Sequence, residues 1–369
     1  MEKVGFVFAN ILLIMFYGLQ FHTLVAHASY HFSDYQGTPP IHLYGKNSTV
    51  PVGYSPAEIK SIYNLPSSGG KGTIVIVGAY NDATIESDLA VFNKTFNLPP
   101  CSIASGCFSK HPMSAGIKTN AGWAMETALD VEWAHAIAPQ AKILLVQATT
   151  QSGANVLKAV DYAASVSDAS SISMSWGGGE FPEETSLDEH FISKSGAPFF
   201  ASSGDSGAGV SWPASSPNVI AVGGTTLNAN NGQVKSEVAW KGSGGGVSQY
   251  ETAPTYQTSY TIPKTRGMRA IPDVAYNADP KTGFPVYSKG AWHTVGGTSA
   301  GAPQWAAIAA LSGGNLSNIR LYADKSSAGN TKYFRDITIG TNGTCTYFCS
   351  ARVQYDFITG LGSPLTYAF

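Results

Sequence analysis

The sequence predicts an α/β fold: a doubly wound, mostly parallel sheet with helices on both faces. Three observations lead there. Short β-branched runs alternate with helical patterns over the first two-thirds of the chain, the order that a parallel sheet with crossover helices requires. The first of them, Thr73–Val77, is continuously β-branched rather than alternating, as in a strand covered on both sides. A chain of 369 residues is also long enough to bury such a core, as one large domain or two of ordinary size.

Taken in order, the chain begins with an export signal over residues 1–28. Lys3 precedes an apolar run from Val4 to about Tyr17, and Ala26-His27-Ala28 has the small-x-small spacing of a cleavage site. The rival reading is an uncleaved membrane anchor, because Val4 to Val25 is long enough to span, although Asn10, Gln20 and His22 interrupt it. Residues 29–70 are polar and contain proline. They are expected to form an extended arm on the surface or a short pro-segment. Within them Ser55 caps a short helix that starts at Pro56, with Glu58 three residues after the cap.

Thr73–Val77 is the first buried strand, followed by a helix from Ala83 to about Phe96. A second helix covers Ala121–Ile137 and stops before Pro139. Lys142–Val146 is the next strand, Ala154–Val166 the next helix and Ile172–Trp176 the next strand. A helix near Glu183–Lys194 leads to strands at Pro198–Ala201 and Val219–Val222. From 225 to 295 the pattern is turn-rich, with Gly242 to Gly246 at its centre. No linker is visible, so this part belongs to the same domain as the residues after it.

Composition limits the function. Formal net charge is −2, which gives no basis for a nucleic-acid partner or an anionic surface. Charged residues make up 12% of the chain, against roughly 25% in ordinary domains. Few charges of either sign means less self-repulsion when carboxylates protonate, which suits an acidic working environment. Four cysteines fall into two close pairs among turn residues, Cys101 with Cys107 and Cys345 with Cys349, and two short-loop disulfides are expected. Asn47, Asn93, Asn315 and Asn342 each begin a glycosylation sequon, a further secretory hint.

Three stretches carry chemistry. Gly297-Thr298-Ser299-Ala300-Gly301 leads into a helix-forming run from Gln304 to Leu311. Ser299 therefore sits at a helix N-terminus, where free N–H groups and the helix dipole favour a nucleophile whose attack creates an oxyanion. The plain alternative is an N-cap serine. Glu126 and Asp130 lie four apart on the Ala121–Ile137 helix, so they share a face among apolar neighbours. If partly buried, the pair would share a proton and act as a general base with an orienting partner. Otherwise it is a solvated acidic stripe. Glu132 points elsewhere by helical phase and is expected to be surface or structural. Asp205, in Ser203-Gly204-Asp205-Ser206-Gly207, follows directly on a strand, at the end of the sheet where sites gather. Alone, it reads as a turn residue.

Taken together these stretches resemble the sedolisin family, the serine-carboxyl peptidases of subtilisin-like fold. The likeness extends from about Tyr54 to Leu365. It includes Ala128-Leu129-Asp130-Val131-Glu132-Trp133-Ala134-His135, Ser175-Trp176-Gly177, Gly244-Gly245-Gly246, Ile271-Pro272-Asp273 and Thr359-Gly360-Leu361-Gly362. The resemblance implies a peptidase domain over 71–369. Ser299 would be the nucleophile, Glu126 its general base, Asp130 the partner of Glu126, and a protonated Asp205 the donor to the oxyanion. Ser175, Trp176 and Gly177 would lie along the substrate. It also implies a structural calcium ion (Ca2+) near the C-terminus, held by Asp336, Ile337, Arg352, Gln354 and Asp356. Relatives have Gly-x-Gly where this chain has Arg352-Val353-Gln354, which puts the loop's geometry in question. Many relatives also carry a glutamate after the first strand, where this chain has Gly78-Ala79, and a large folded propeptide, where residues 29–70 are expected to form only an arm or short pro-segment between the cleavage site and the core.

The expected protein is thus a secreted, acid-acting endopeptidase. It would act as a monomer on protein or peptide substrates, away from the membrane once the signal is cleaved. The competing reading is a secreted, non-catalytic binding protein on the same fold. A histidine-based triad is not supported: no His-Gly-Thr-His pattern occurs, and His135 reads as a structural residue near the helix end.

Overall fold

A computed structural model describes residues 30–323 and 332–369. The expected export signal lies outside the described residues, whereas the arm after it lies within them from Tyr30. At the centre is an eight-stranded sheet. Its first strand in the chain is not its edge. After β1 (His42–Ser48), which belongs to a second sheet, come β2 (Thr73–Ala79), β3 (Phe108–Pro112), β4 (Lys142–Ala148), β5 (Ala169–Met174), β6 (Phe199–Ser202), β7 (Val219–Asn230), β8 (Gln233–Ala239) and β9 (Val274–Asn277). The spatial order is β8-β7-β6-β5-β2-β4-β3, with β9 beside β7. Every pairing is parallel except β7 with β8.

The β2 run shows why the expectation of two covered faces holds. Ile74 and Ile76 enter one core with Ala128, Leu129, Trp133 and Ala306. Val75 and Val77 enter the other with Val156, Val160 and Ala163. Each such side chain contributes about 1.5–3 kcal/mol when fully buried, so both faces are strongly specified. The α-helices of seven residues or more are α1 (Pro56–Ile62), α2 (Ile85–Thr95), α3 (Ala121–Ile137), α4 (Gly153–Ser165) and α5 (Gly301–Leu311). Residues of α3 and α5 line the first core, and those of α4 the second.

α3 has the expected bounds. Asn120 caps it by accepting from the N–H groups of Gly122 and Trp123, and Pro139 follows its last turn. It is buried on nearly all sides, so its three acids lie inside the protein. Glu132 is therefore not a surface residue: it is fully buried and accepts from the Tyr287 N–H at 3.0 Å. Helical phase places a residue at the surface only where one face of the helix is open, and α3 has no such face. His135 is buried too, bonded to the Pro99 carbonyl at 2.9 Å.

Other differences have local causes. The segment expected as a helix near Glu183–Lys194 forms only a 3-10 turn over Glu184–Phe191. The 225–295 region holds strands: β7 runs on to Asn230 and returns as β8, whose partly exposed edge gives no continuous apolar run. Further on, β10 (Phe284–Ser288) and β11 (Ala291–Gly296) form a three-stranded antiparallel sheet with β1. The arm is thus not merely a surface extension. Both expected disulfides are formed. Of the four sequons, Asn47 and Asn315 are exposed, whereas Asn93 and Asn342 are buried and unsuited to carry a glycan in the folded chain.

Candidate active site

Four acidic or hydroxylic side chains from distant parts of the chain meet above the carboxyl ends of the parallel strands. α3 brings Glu126 and Asp130, the turn after β6 brings Asp205, and the turn before α5 brings Ser299. Ser299 lies in a single 3-10 turn, Thr298–Ala300, that runs directly into α5. No side-chain cap bond is made there, so the N-cap reading fails. Two glycines make the turn possible. Gly297 has φ of 124°, and a Cβ on it would collide with the Pro40 carbonyl and the Asp205 carboxylate. A Cβ on Gly301 would come within 2.6 Å of Val222 Cγ1, so only glycine lets the start of α5 seat against β7.

Glu126 and Asp130 are each 2% exposed, which rules out a solvated stripe. Burial, and then the charge of Asp130, push the Glu126 carboxyl well above its ordinary range. Burial pushes Asp130 up to about 7, against hydrogen bonds that favour its charged form. Two buried acids this close do not both ionise readily, so the pair retains a proton well above the usual carboxyl range. Both oxygens of Glu126 lack a hydrogen-bond partner at bonding distance among the described residues. The Ser299 hydroxyl is close enough to lower the Glu126 pKa. Its Oγ, however, is directed at the Ser175 carbonyl, at 3.5 Å. Such bonds often tighten only when substrate is bound.

Ser175 does more than its backbone role. Its hydroxyl donates to Asp130 Oδ1 at 2.6 Å and also lies 3.2 Å from the Ser299 carbonyl. It ties the acid pair to the Ser299 turn. Trp176 is wholly buried and donates its Nε1–H to the Val77 carbonyl, so only its backbone can face a substrate. The Gly177 N–H and carbonyl are both taken by Thr38 of the arm, as donor to its carbonyl at 3.1 Å and acceptor from its N–H at 2.9 Å.

Asp205 is held by a residue outside the expected set. Thr298 donates to Asp205 Oδ1 from both its N–H and its hydroxyl, each at 2.8 Å. In turn the Gly204 N–H donates to the Thr298 hydroxyl at 3.1 Å. On the other side His42 Nε2 stands 3.1 Å from Oδ2. Burial raises the Asp205 pKa, while His42 and Thr298 pull it back. The adjacency of Thr298 to Ser299 is a usable sequence signal for the first partner. Nothing in the sequence points to His42.

The C-terminal residues expected to hold calcium also come together. The Gln354 N–H donates to Asp336 Oδ2 at 2.9 Å and the Arg352 N–H to Asp356 Oδ2 at 3.3 Å, so one loop touches both acids. Asp356 is fully buried, and burial pushes it up to about 7. The Arg352 guanidinium does not neutralise either acid. It stacks on the Tyr347 ring at 3.7 Å and donates to the Tyr347 carbonyl. An all-oxygen set of two acids, with no ion pair to either among the described residues, suits a hard divalent ion. Gln354 takes the left-handed conformation, φ of 66°, that relatives meet with glycine.

A subtilase-family model matches residues 114–322. Kumamolisin from Bacillus sp. (strain MN-32) is 30% identical over 353 residues, covering 86% of this chain and 63% of its own. Sedolisin from Pseudomonas sp. (strain 101) is 33% identical over 197 residues, 46% of this chain and 33% of its own. The chain thus spans less than two-thirds of the length of these curated relatives. Among solved structures, a Pseudomonas sedolisin, a serine-carboxyl proteinase complexed with two molecules of pseudo-iodotyrostatin, superposes with a TM-score of 0.73 at 27% identity. The match covers 85% of this chain and 96% of that one.

Proposed function

Since the chain belongs to the subtilase family and, within it, to the sedolisin family, we propose that it is a secreted, acid-acting serine-carboxyl endopeptidase. The observation that carries this reading is the buried meeting of Glu126, Asp130, Asp205 and Ser299. In the proposed reaction Ser299 Oγ attacks the scissile carbonyl while Glu126 takes its proton. Asp130, oriented by Ser175, stabilises the protonated Glu126. The neutral Asp205 donates to the oxyanion. Collapse of the tetrahedral intermediate breaks the C–N bond, and Glu126 returns the proton to the leaving amine. Water, deprotonated by Glu126, then releases the acyl group from Ser299. The test is digestion of a denatured protein at about pH 4, with the fragments read by mass spectrometry. Internal cuts that vanish with Ser299→Ala are expected; an inert protein would favour the binding-protein reading.

Acid operation has support away from the site. Glu184 and Glu251, both buried, and the partly buried Glu180 and Asp188 form a group around Ser215, Ser216 and Ser248. Burial, reinforced by neighbouring acids, pushes Glu184 and Glu251 up to about 8. Arg269, the charge that opposes this for Asp188 and Glu251, is itself bonded to Asp273. The sign follows from proton linkage. A carboxyl that titrates higher when folded binds more protons in the folded state, so stability falls as pH rises between the unfolded and folded values. The melting temperature is therefore expected to drop on going from about pH 4.5 to about pH 8. Calorimetry that shows a rise over that span would contradict the assignment.

Asp336 and Asp356, with the carbonyls of Ile337, Arg352 and Gln354, would hold calcium, whose role would be to neutralise the acids and fix the loop. Calcium competes with protons for Asp356, so its stabilisation should be larger at neutral pH than in acid. Scanning fluorimetry with millimolar calcium against chelator should show a higher melting temperature near neutrality. The same shift should be absent in Asp356→Asn.

A further inference from the structure

The fold divides the four sequons into two kinds. Asn93 lies inside α2, 3% exposed, and Asn342 is 5% exposed with its Nδ2 donating to the Ser243 carbonyl at 2.8 Å. That nitrogen is the atom a glycan would occupy. Asn47 and Asn315, by contrast, are open to solvent. Asn47 stands where β1 loses its register with β11. Tyr44 and Ser48 are four positions apart, whereas their partners Thr294 and Trp292 are only two apart. The surplus is taken up in Gly45, Lys46 and Asn47, all exposed, with Gly45 at φ of 77°. Asn315 follows α5 in a turn where Gly313 and Gly314 have φ of 81° and 77°, and Ser317 of its sequon caps the short helix Asn318–Leu321.

Each open sequon sits among apolar side chains that face water. Leu43, Tyr44, Val50 and Val52 flank Asn47 and are 49% to 59% exposed. Beside Asn315, Ile192 and Ile319, 63% and 68% exposed, line a groove of about 430 Å³ together with Phe199, Tyr256 and Leu316. These two isoleucines and the four residues around Asn47 are more than half of the eleven large apolar side chains exposed among the described residues. Contiguous patches of this kind need a cover or a solubiliser. Soluble surfaces ordinarily supply charge, at roughly 25–35% Lys, Arg, Asp and Glu. This chain has 12% charged residues overall, and carboxylates lose their charge in acid. A neutral, hydrated oligosaccharide solubilises at any pH.

We propose that Asn47 and Asn315 are the N-glycosylation sites of the exported protein and that their oligosaccharides cover the two apolar patches, while Asn93 and Asn342 stay bare. This rests on the export reading and not on the peptidase one. The donor is an oligosaccharide carried on a lipid pyrophosphate. The Asn amide nitrogen attacks its anomeric carbon. The C–N bond forms as the C–O bond to pyrophosphate breaks, the lipid pyrophosphate leaves, and the amide proton passes to a base of the transferring enzyme. Transfer takes place on the unfolded chain, so burial does not shield Asn93 or Asn342 from it. A chain modified there cannot pack α2 or make the Ser243 contact, and the folded product excludes it. The sugar at Asn315 lies away from the chemistry: α5, about 16 Å long, starts at the Ser299 turn and ends before Asn315.

The test is secretion of the full chain from a eukaryotic host, then peptide N-glycosidase in heavy-oxygen water. The enzyme converts each glycosylated Asn to an isotope-labelled Asp, which mass spectrometry locates. Label at 47 and 315, with none at 93 or 342, is expected. Removing the sugar from the folded protein should leave the melting temperature unchanged, raise binding of an apolar dye at least about twofold, and promote aggregation in acid. The double variant Asn47→Gln, Asn315→Gln should behave like the deglycosylated protein. Secreted protein with Asn47 or Asn315 bare, or with sugar at Asn93 or Asn342, overturns the site assignment. Dye binding and aggregation that do not change when the sugar is removed overturn the covering role. A chain retained in the cell refutes the export reading instead, and a host leader joined ahead of Tyr30 then tests the four acceptors by the same label.

Discussion

Replacing Ser299 by alanine should lower kcat/KM by about ten-thousandfold or more, with the folded protein intact. The size follows from the role: without Oγ no acyl-enzyme forms, and only the binding and oxyanion contributions remain. The intact fold follows from the contacts. Ser299 is fully buried, but its hydroxyl makes only one long contact, at 3.5 Å, and caps no helix. Deleting one weakly bonded hydroxyl costs about 1 kcal/mol or less. Unchanged melting with lost turnover therefore separates a chemical role from a structural one. Glu126→Gln should fall nearly as far, because an amide of the same shape cannot take the proton. The double variant should be little worse than either single one, as for groups that act as a unit. Activity within tenfold of the parent in Ser299→Ala would remove the basis for the whole mechanism.

How much of this was legible follows from the range of each signal. α3 could be bounded from its cap, its apolar run and Pro139, all local features, and its observed limits agree. β2 announced itself because both of its faces are covered, so its run is apolar almost throughout. β8 and β1 did not: one is a partly exposed hairpin edge and the other almost entirely exposed, and neither carries an apolar pattern. Glu126, Asp130, Asp205 and Ser299 could be picked out only because their motifs occur together; alone, Asp205 reads as a turn residue and Ser299 as a helix cap. Their second partners could not. Ser175 reaches Asp130, and His42 reaches Asp205, only through the tertiary fold. The acid group at Glu180, Glu184, Asp188 and Glu251 was missed for a further reason. The stretch near Glu183–Lys194 reads only as a helix between two strands, yet Glu184 is buried within a 3-10 turn.

Asp205→Ala should cost about 10²–10³ in kcat, the usual loss when one oxyanion donor is removed. The effect depends on which oxygen carries the proton. Oδ1 already accepts two hydrogen bonds from Thr298, so the proton belongs on Oδ2, the oxygen that faces His42 and the Pro40 carbonyl side of the cleft. Burial lifts this carboxyl above its ordinary value, which keeps it neutral further into mildly acidic solution. Once pH rises through its pKa, the donor becomes an anion facing a developing anion, and the rate should fall. An amide keeps an N–H at every pH. Asp205→Asn should therefore lose less than Asp205→Ala, and its alkaline limb should move to higher pH or disappear. A pH–rate profile in which Asp205→Asn keeps the parent's alkaline limb would assign that limb to another group. The Glu126–Asp130 pair is the candidate, since burial raises both of its members.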